Sequence, residues 1–147
     1  MKIQINSPLI TERLGNRLWV LSKAFSVCIA GKILTVPKGF VTDGASCPRC
    51  LWWLCSPIAG PFGEAAVVHD FLYSIEGPDV LREIADELLY WFGVYRGASC
   101  FRAWLVKKGV NFFGSSSFKN GVSKVTVGKC YNYFIAVRTV EVLKKGV

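Results

Sequence analysis

The apolar positions of this chain change their spacing along its length. Between residues 17 and 29 the stretch Leu18-Trp19-Val20-Leu21-Ser22-Lys23-Ala24-Phe25-Ser26-Val27-Cys28-Ile29 is β-prone and partly alternating; Ala30-Gly31-Lys32 has turn composition, and residues 32–36 are again strand-like. A strand, a turn and a second strand are therefore predicted, a β-hairpin near the N-terminus. Residues 1–16 carry only a short apolar start, which reads as an arm or an edge strand. Pro37 and Gly39 close the hairpin, and residues 39–46 form a loop with two glycines and Asp43. Ser46 can cap a short helix with Pro48 in its first turn and Leu51, Trp52, Leu54 and Cys55 beyond.

From residue 64 the spacing becomes helical. Small and apolar residues at 65, 66, 68, 72 and 75 predict a largely buried helix over 64–76. Gly77-Pro78-Asp79 supplies a stop, a rigid turn and a capping carboxylate, and Val80, Ile84, Leu88 and Trp91 predict a second helix over 79–93. So short a connection makes the two antiparallel neighbours. Apolar residues at 101, 104, 105, 112 and 113 predict a third helix over 98–113, stopped by Gly114, with Ser115, Ser116 and Ser117 as a linker. Residues 121–128 and 129–143 read as two strands; a helix over 130–145 is the alternative, against which its β-branched content counts. The expected fold is α+β: an N-terminal β-hairpin, a compact helical core with an antiparallel helix pair, and a C-terminal strand pair. Residues 1–114 would be the core domain and 115–147 a β extension packed on it.

At 147 residues, 52% of them hydrophobic, the chain is long enough for one domain with a real core. Its charge is uneven: net +5 over residues 1–42, −6 over 43–95 and +9 over 96–147. An acidic centre between basic ends suits cation chemistry in the middle and contacts to phosphate, membrane or an acidic protein outside it; a solvated basic surface is the plainer reading. The first residues lack the apolar core of a secretory signal, so the six cysteines are expected as reduced thiols. Residues 51–68 are the most apolar region, but Pro57, Gly60, Pro61, Gly63 and Glu64 interrupt them, and no membrane span is expected.

His69 is the only histidine. Tyr73, four residues on, shares its helix face, and Asp86 on the second helix can face it across the pair. Cys47-Pro-Arg-Cys50 lacks the strand of a redox motif and the second pair of a zinc site, and reads as buried small hydrophobes. Trp52, Trp53, Trp91 and Trp104 are expected in the core, except that Trp52 and Trp53 cannot both point inward. Lys107-Lys108 and Lys144-Lys145 come without a nucleic-acid motif, and nucleic acid is not an expected partner.

The residues Val36-Pro37-Lys38-Gly39-Phe40-Val41-Thr42-Asp43-Gly44-Ala45-Ser46, Pro48-Arg49, Trp52-Trp53, Ala65-Ala66-Val67, His69-Asp70-Phe71-Leu72-Tyr73 and Arg82 with Ala85-Asp86 carry a resemblance. In them the chain resembles a family of small proteins of unknown function encoded by bacteriophages and prophages. That resemblance covers residues 36 to 114 and implies a phage origin, synthesis in the host cytoplasm and other phage proteins as partners. His69-Asp70-x-x-Tyr73 followed by Ala85-Asp86 is also similar to the catalytic helix pair of secreted calcium-dependent phospholipases, especially their compact bacterial and parvoviral forms. This second resemblance implies His69 as general base, Asp86 as its orienter, Tyr73 in support and Asp70 on a calcium ion. The loop at 39–44 departs from the calcium loop of those enzymes, and Val67 and Val68 stand where they carry a cysteine.

Each role has a physical basis. Histidine titrates near neutrality, and a carboxylate on its far nitrogen fixes tautomer and orientation. Asp70 lies about 100° round the helix from His69 and can reach a cation beside the base. Calcium takes several oxygens, for which the Asp43-Gly44 loop is the second source. In the structural alternative His69 and Asp86 tie two helices together without turnover, Asp70 is solvated or pairs with Arg82, and Asp43 forms an Asx turn. Two functions are therefore expected: a virion component of the tail or baseplate acting through protein contacts, or a metal-dependent lipid or ester hydrolase. The sequence names no substrate.

Overall fold

The computed structural model describes residues 2–15, 18–44, 58, 60–74 and 79–120. Strands come first: β1 (Ile3–Ile5), β2 (Thr11–Gly15), β3 (Leu18–Leu21), β4 (Phe25–Ile29), β5 (Lys32–Val36) and β6 (Val41–Thr42). A 3-10 turn, Gly60–Phe62, then leads into α1 (Gly63–Ser74), α2 (Asp79–Tyr95) and α3 (Cys100–Asn120). The strands form two antiparallel three-stranded sheets, ordered β1-β4-β5 and β2-β3-β6. The fold is thus α+β, and the expected C-terminal strand pair lies outside the described residues.

The predicted hairpin is β4–β5. Phe25, Val27 and Ile29 are buried and alternate with half-buried Ser26 and Cys28, while Leu34 and Val36 meet them from β5. Its turn has Ala30 and Gly31 both at positive φ (49° and 81°), the backbone of a two-residue hairpin whose twist matches its strands. The single strand expected over 17–29 is two. Polar Ser22 and Lys23 mark the break, and the backbone of Leu21 turns to the Gly39-Phe40 segment, donating to Phe40 O (2.9 Å) and accepting from Gly39 N (2.8 Å). β3 therefore joins β2 and β6, whereas β4 joins β1 and β5. The weakly patterned N-terminus supplies an edge strand to each sheet.

Hydrogen bonds and ion pairs fix the helix directions. Glu64 at the start of α1 meets Arg96 just past α2 (2.8 Å), so α1 and α2 are antiparallel. Arg82 near the start of α2 donates to Asn111 O midway along α3 (2.8 Å), while Glu87 further along α2 pairs with Lys107 earlier in α3, so α3 reverses again. α2 lies between its neighbours and buries Ala85, Leu88, Leu89 and Phe92 at helical spacing. Its C-terminus closes with Ala98 N to Gly93 O (2.9 Å), Gly97 N to Val94 O (3.0 Å) and Gly97 at φ 93°, a Schellman cap. Gly93 itself is inside the helix, where the Phe62 ring occupies the space of a Cβ. Ser99 caps the start of α3, its side chain accepting from Arg102 N (3.2 Å).

Neither Gly114 nor Ser115-Ser-Ser117 ends α3, which continues to Asn120. One glycine costs a helix only about 1 kcal/mol, and serine does not break one. Both sheets and all three helices feed one apolar cluster, with Phe40 against Phe71 edge to face (5.5 Å) where β6 approaches α1. Among the described residues no helix is long and apolar enough to cross a membrane. The short helix expected after Ser46, the Cys47-Cys50 pair and Trp52-Trp53 lie outside the described residues.

Candidate functional site

α1 is buried nearly all round, and this puts a histidine in the interior. Ala65, Ala66, Val67, Val68, Phe71 and Leu72 are all buried, and His69 between them is only 8% exposed. Such a ring needs partners for its nitrogens, because an unpaired buried polar group costs about 1–3 kcal/mol. His69 Nε2 lies 2.9 Å from Asp86 Oδ1 on α2, and Tyr73 OH donates to the same oxygen (2.7 Å). The Tyr73 ring packs on the imidazole, centroids 4.0 Å apart, as residues one turn apart on a helix should. His69, Tyr73 and Asp86 therefore converge as their spacing predicts.

With Nε2 donating to a carboxylate, the neutral imidazole presents its lone pair at Nδ1. That nitrogen lies 3.6 Å from Asp70 Oδ1. Asp70 Oδ2 accepts from the Thr42 hydroxyl, and Thr42 Oγ1 in turn accepts from Gly44 N (2.9 Å). The chain from Gly44 through Thr42 to Asp70 and His69 thus joins β6 to α1. Thr42 closes a turn onto Gly44 N, while an Asx turn at Asp43 would end on residue 45, outside the described residues; the pairing of Asp70 with Arg82 does not form, since Arg82 reaches the α3 backbone. Thr42 is a site residue that sequence reasoning misses; its signals are its place in the 36–46 motif and a hydroxyl two residues before Gly44.

The electrostatics are those of one base among carboxylates. Burial draws the His69 pKa down, but hydrogen bonds and charge from Asp70 and Asp86 outweigh it, and the net movement is upward. Burial raises Asp70 to about 6, the charge of Asp43 pushes the same way, and His69 and Thr42 oppose them. Burial and the hydrogen bond to Asp86 raise Tyr73 as well, so its phenol stays protonated and donates. Asp86 is 1% exposed, and its Oδ2 is buried without a hydrogen-bond partner among the described residues. Asp70 keeps 21% of its side chain exposed, against 1% for Asp86, so of the two carboxylates on the imidazole it is the one that solvent reaches better.

Asp70 and Asp43 are close enough to feel each other's charge, while Asp86 lies on the other side of the imidazole. Among the described residues no three His, Cys, Asp or Glu side chains group as a metal site. A calcium ion would take two carboxylates here and need its other oxygens from backbone or water, which is a common division for that ion.

A family model described as "Protein of unknown function (DUF1353)" matches residues 19–110, a span that includes Thr42, Asp43, His69, Asp70, Tyr73 and Asp86. No curated protein and no solved structure matches the chain.

Proposed function

Since this chain belongs to the DUF1353 family, whose function is unknown, we propose from the site itself that it is a hydrolase in which His69 activates water against a lipid or ester carbonyl. The observation that carries the reading is the division of the imidazole: Nε2 is held by Asp86 together with Tyr73, and Nδ1 faces the more accessible Asp70. A packing pin needs only the first half of this arrangement. In the reaction His69 Nδ1 takes a proton from water as the oxygen attacks the carbonyl. Asp86 stabilises the imidazolium, and the proton then passes to the leaving alkoxide, giving a carboxylic acid and an alcohol. A calcium ion held by Asp70 and Asp43 would supply positive charge to the carbonyl oxygen. By offsetting the charge of Asp70, it would also return His69 to the neutral, basic form. The motif residues Gly39 to Ser46 and His69 to Tyr73 support a phage origin, with synthesis in the host cytoplasm.

The burial of His69 and the exposure of Leu14 on β2 and Ile33 on β5, both edge strands, favour a second reading: a virion component of the tail or baseplate that binds other phage proteins through its sheet edges. One experiment separates the two. Fatty-acid release from mixed phospholipid vesicles is measured with and without calcium, beside His69→Gln and Asp70→Asn variants shown to be folded. Calcium-dependent release that vanishes in both variants supports the hydrolase. A folded protein that releases nothing, with both variants melting several degrees lower, rejects it and directs the search to purified virions.

A further inference from the structure

Helix α3 is apolar on two opposite faces. One is inward, where Ala103 and Val106 are buried and Val110 packs against the core. The other turns to solvent: Phe101 is 69% exposed, Trp104 47% and Phe112 81%, with exposed Lys108 between them. Spacings of three, four and four residues put these side chains in one stripe, about 16 Å long at 1.5 Å per residue. Phe101 and Trp104 stack (6.2 Å, 21° between planes), and Lys108 Nζ sits 5.9 Å from the Trp104 ring. The stripe reaches α2 through Lys107, which pairs with Glu87, the acceptor of Trp91 Nε1–H (2.9 Å). α3 carries Arg102, Lys107, Lys108 and Lys119 and no acidic residue.

We propose that the outer face of α3, Phe101, Trp104 and Lys108 at its centre, docks the protein on an anionic phospholipid bilayer, lying along the surface rather than crossing it. Aromatic side chains beside lysines are the combination that settles at a lipid–water boundary: the rings enter the headgroup layer while the ammonium groups stay with the phosphates. Charge selects this occupant. A second copy would set Lys108 against Lys108, with no carboxylate within the stripe to answer either. A nucleobase would have to stack on Trp104, beside which Phe101 and Lys108 already sit. The proposal goes beyond the hydrolase reading, since docking needs neither His69 nor turnover.

The test is co-sedimentation of the full chain with vesicles of phosphatidylcholine alone and of phosphatidylcholine mixed with phosphatidylglycerol. Binding is expected to the mixed vesicles only and to fall as salt is raised. Lys108→Gln should weaken it about fivefold, at roughly 1 kcal/mol per lysine near the surface. Phe101→Ser with Trp104→Ser should weaken it by more than about tenfold, from the apolar area withdrawn. Should the double variant fold poorly, Lys108→Glu alone, at an exposed position, must still reduce binding. His69→Gln must bind as the unaltered chain does, so loss of fatty-acid release leaves this proposal standing and loss of docking leaves the hydrolase standing. Equal binding to both vesicles, binding to neither, or binding indifferent to the α3 substitutions overturns the proposal. So does a dimer that these substitutions dissociate, or a single-stranded oligonucleotide bound in preference to the mixed vesicles.

Discussion

His69 is a spectroscopic handle on its own site, because no other histidine contributes an imidazole signal. Asp70 and Asp86 both raise its pKa, so Asp70→Asn should bring the midpoint of the imidazole resonances down by a measurable fraction of a unit or more. Added calcium, if it binds Asp70, should move the midpoint the same way in the unaltered chain and not in the variant. Stability follows from the same groups. A histidine raised in the folded state contributes stability that is full below about 6.5 and lost as pH rises through the folded value. Asp70, moved from 3.8 to about 6, binds more protons folded than unfolded between those values, so stability again falls as pH rises. Without calcium, melting temperature should therefore decline from pH 4 through neutrality, and Asp70→Asn should flatten the acidic part. Asp86→Leu should do more damage, about 3–5 kcal/mol by urea unfolding, because it strips the shared acceptor from His69 and Tyr73 together.

The helices show where spacing informs and where it misleads. Val80, Ile84 and Leu88 mark α2 by period, yet the end expected at Gly93 is two residues short, because the glycine that stops the helix is Gly97. The two are indistinguishable by residue type: Gly97 is there for its positive φ, Gly93 because Phe62 comes too close for a side chain. Gly93→Ala should therefore destabilise by about 1–3 kcal/mol even though alanine is the better helix former, read as a lower urea midpoint. Gly97→Ala should cost about 1–2 kcal/mol for a different reason, the left-handed backbone. At the start of α1 a Cβ on Gly63 would meet the carbonyl of Ile58, a contact between chain neighbours that no periodicity reports.

For the whole molecule the decisive joint is between sheets and helices. It is made by Phe40 against Phe71 and by Thr42 on Asp70, and it brings the loop after β6 to the His69 helix. Phe40 is buried, so Phe40→Ala should cost about 3–5 kcal/mol. Thr42→Val, nearly isosteric, should cost about 1–3 kcal/mol by taking the threonine hydroxyl from Asp70 Oδ2 and from Gly44 N. Hydrogen exchange should show the loss of protection in both β6 and α1 rather than in either alone.

Features that depend on neighbours along the chain are legible before the chain is folded. The β4–β5 hairpin follows from partial alternation and a turn-like Ala30-Gly31-Lys32, the antiparallel α1–α2 pair from a period near four and a short connection, and the meeting of His69, Tyr73 and Asp86 from that pair. Other features depend on approaches between distant segments and are set only in the folded chain. The division of residues 17–29 between two sheets turns on where Phe40 bonds, the passage of α3 through Gly114 on a penalty too small to stop it, and the second side of the His69 site on a threonine 28 residues away from Asp70. Local pattern records which face a residue turns; only the folded chain records what that face meets.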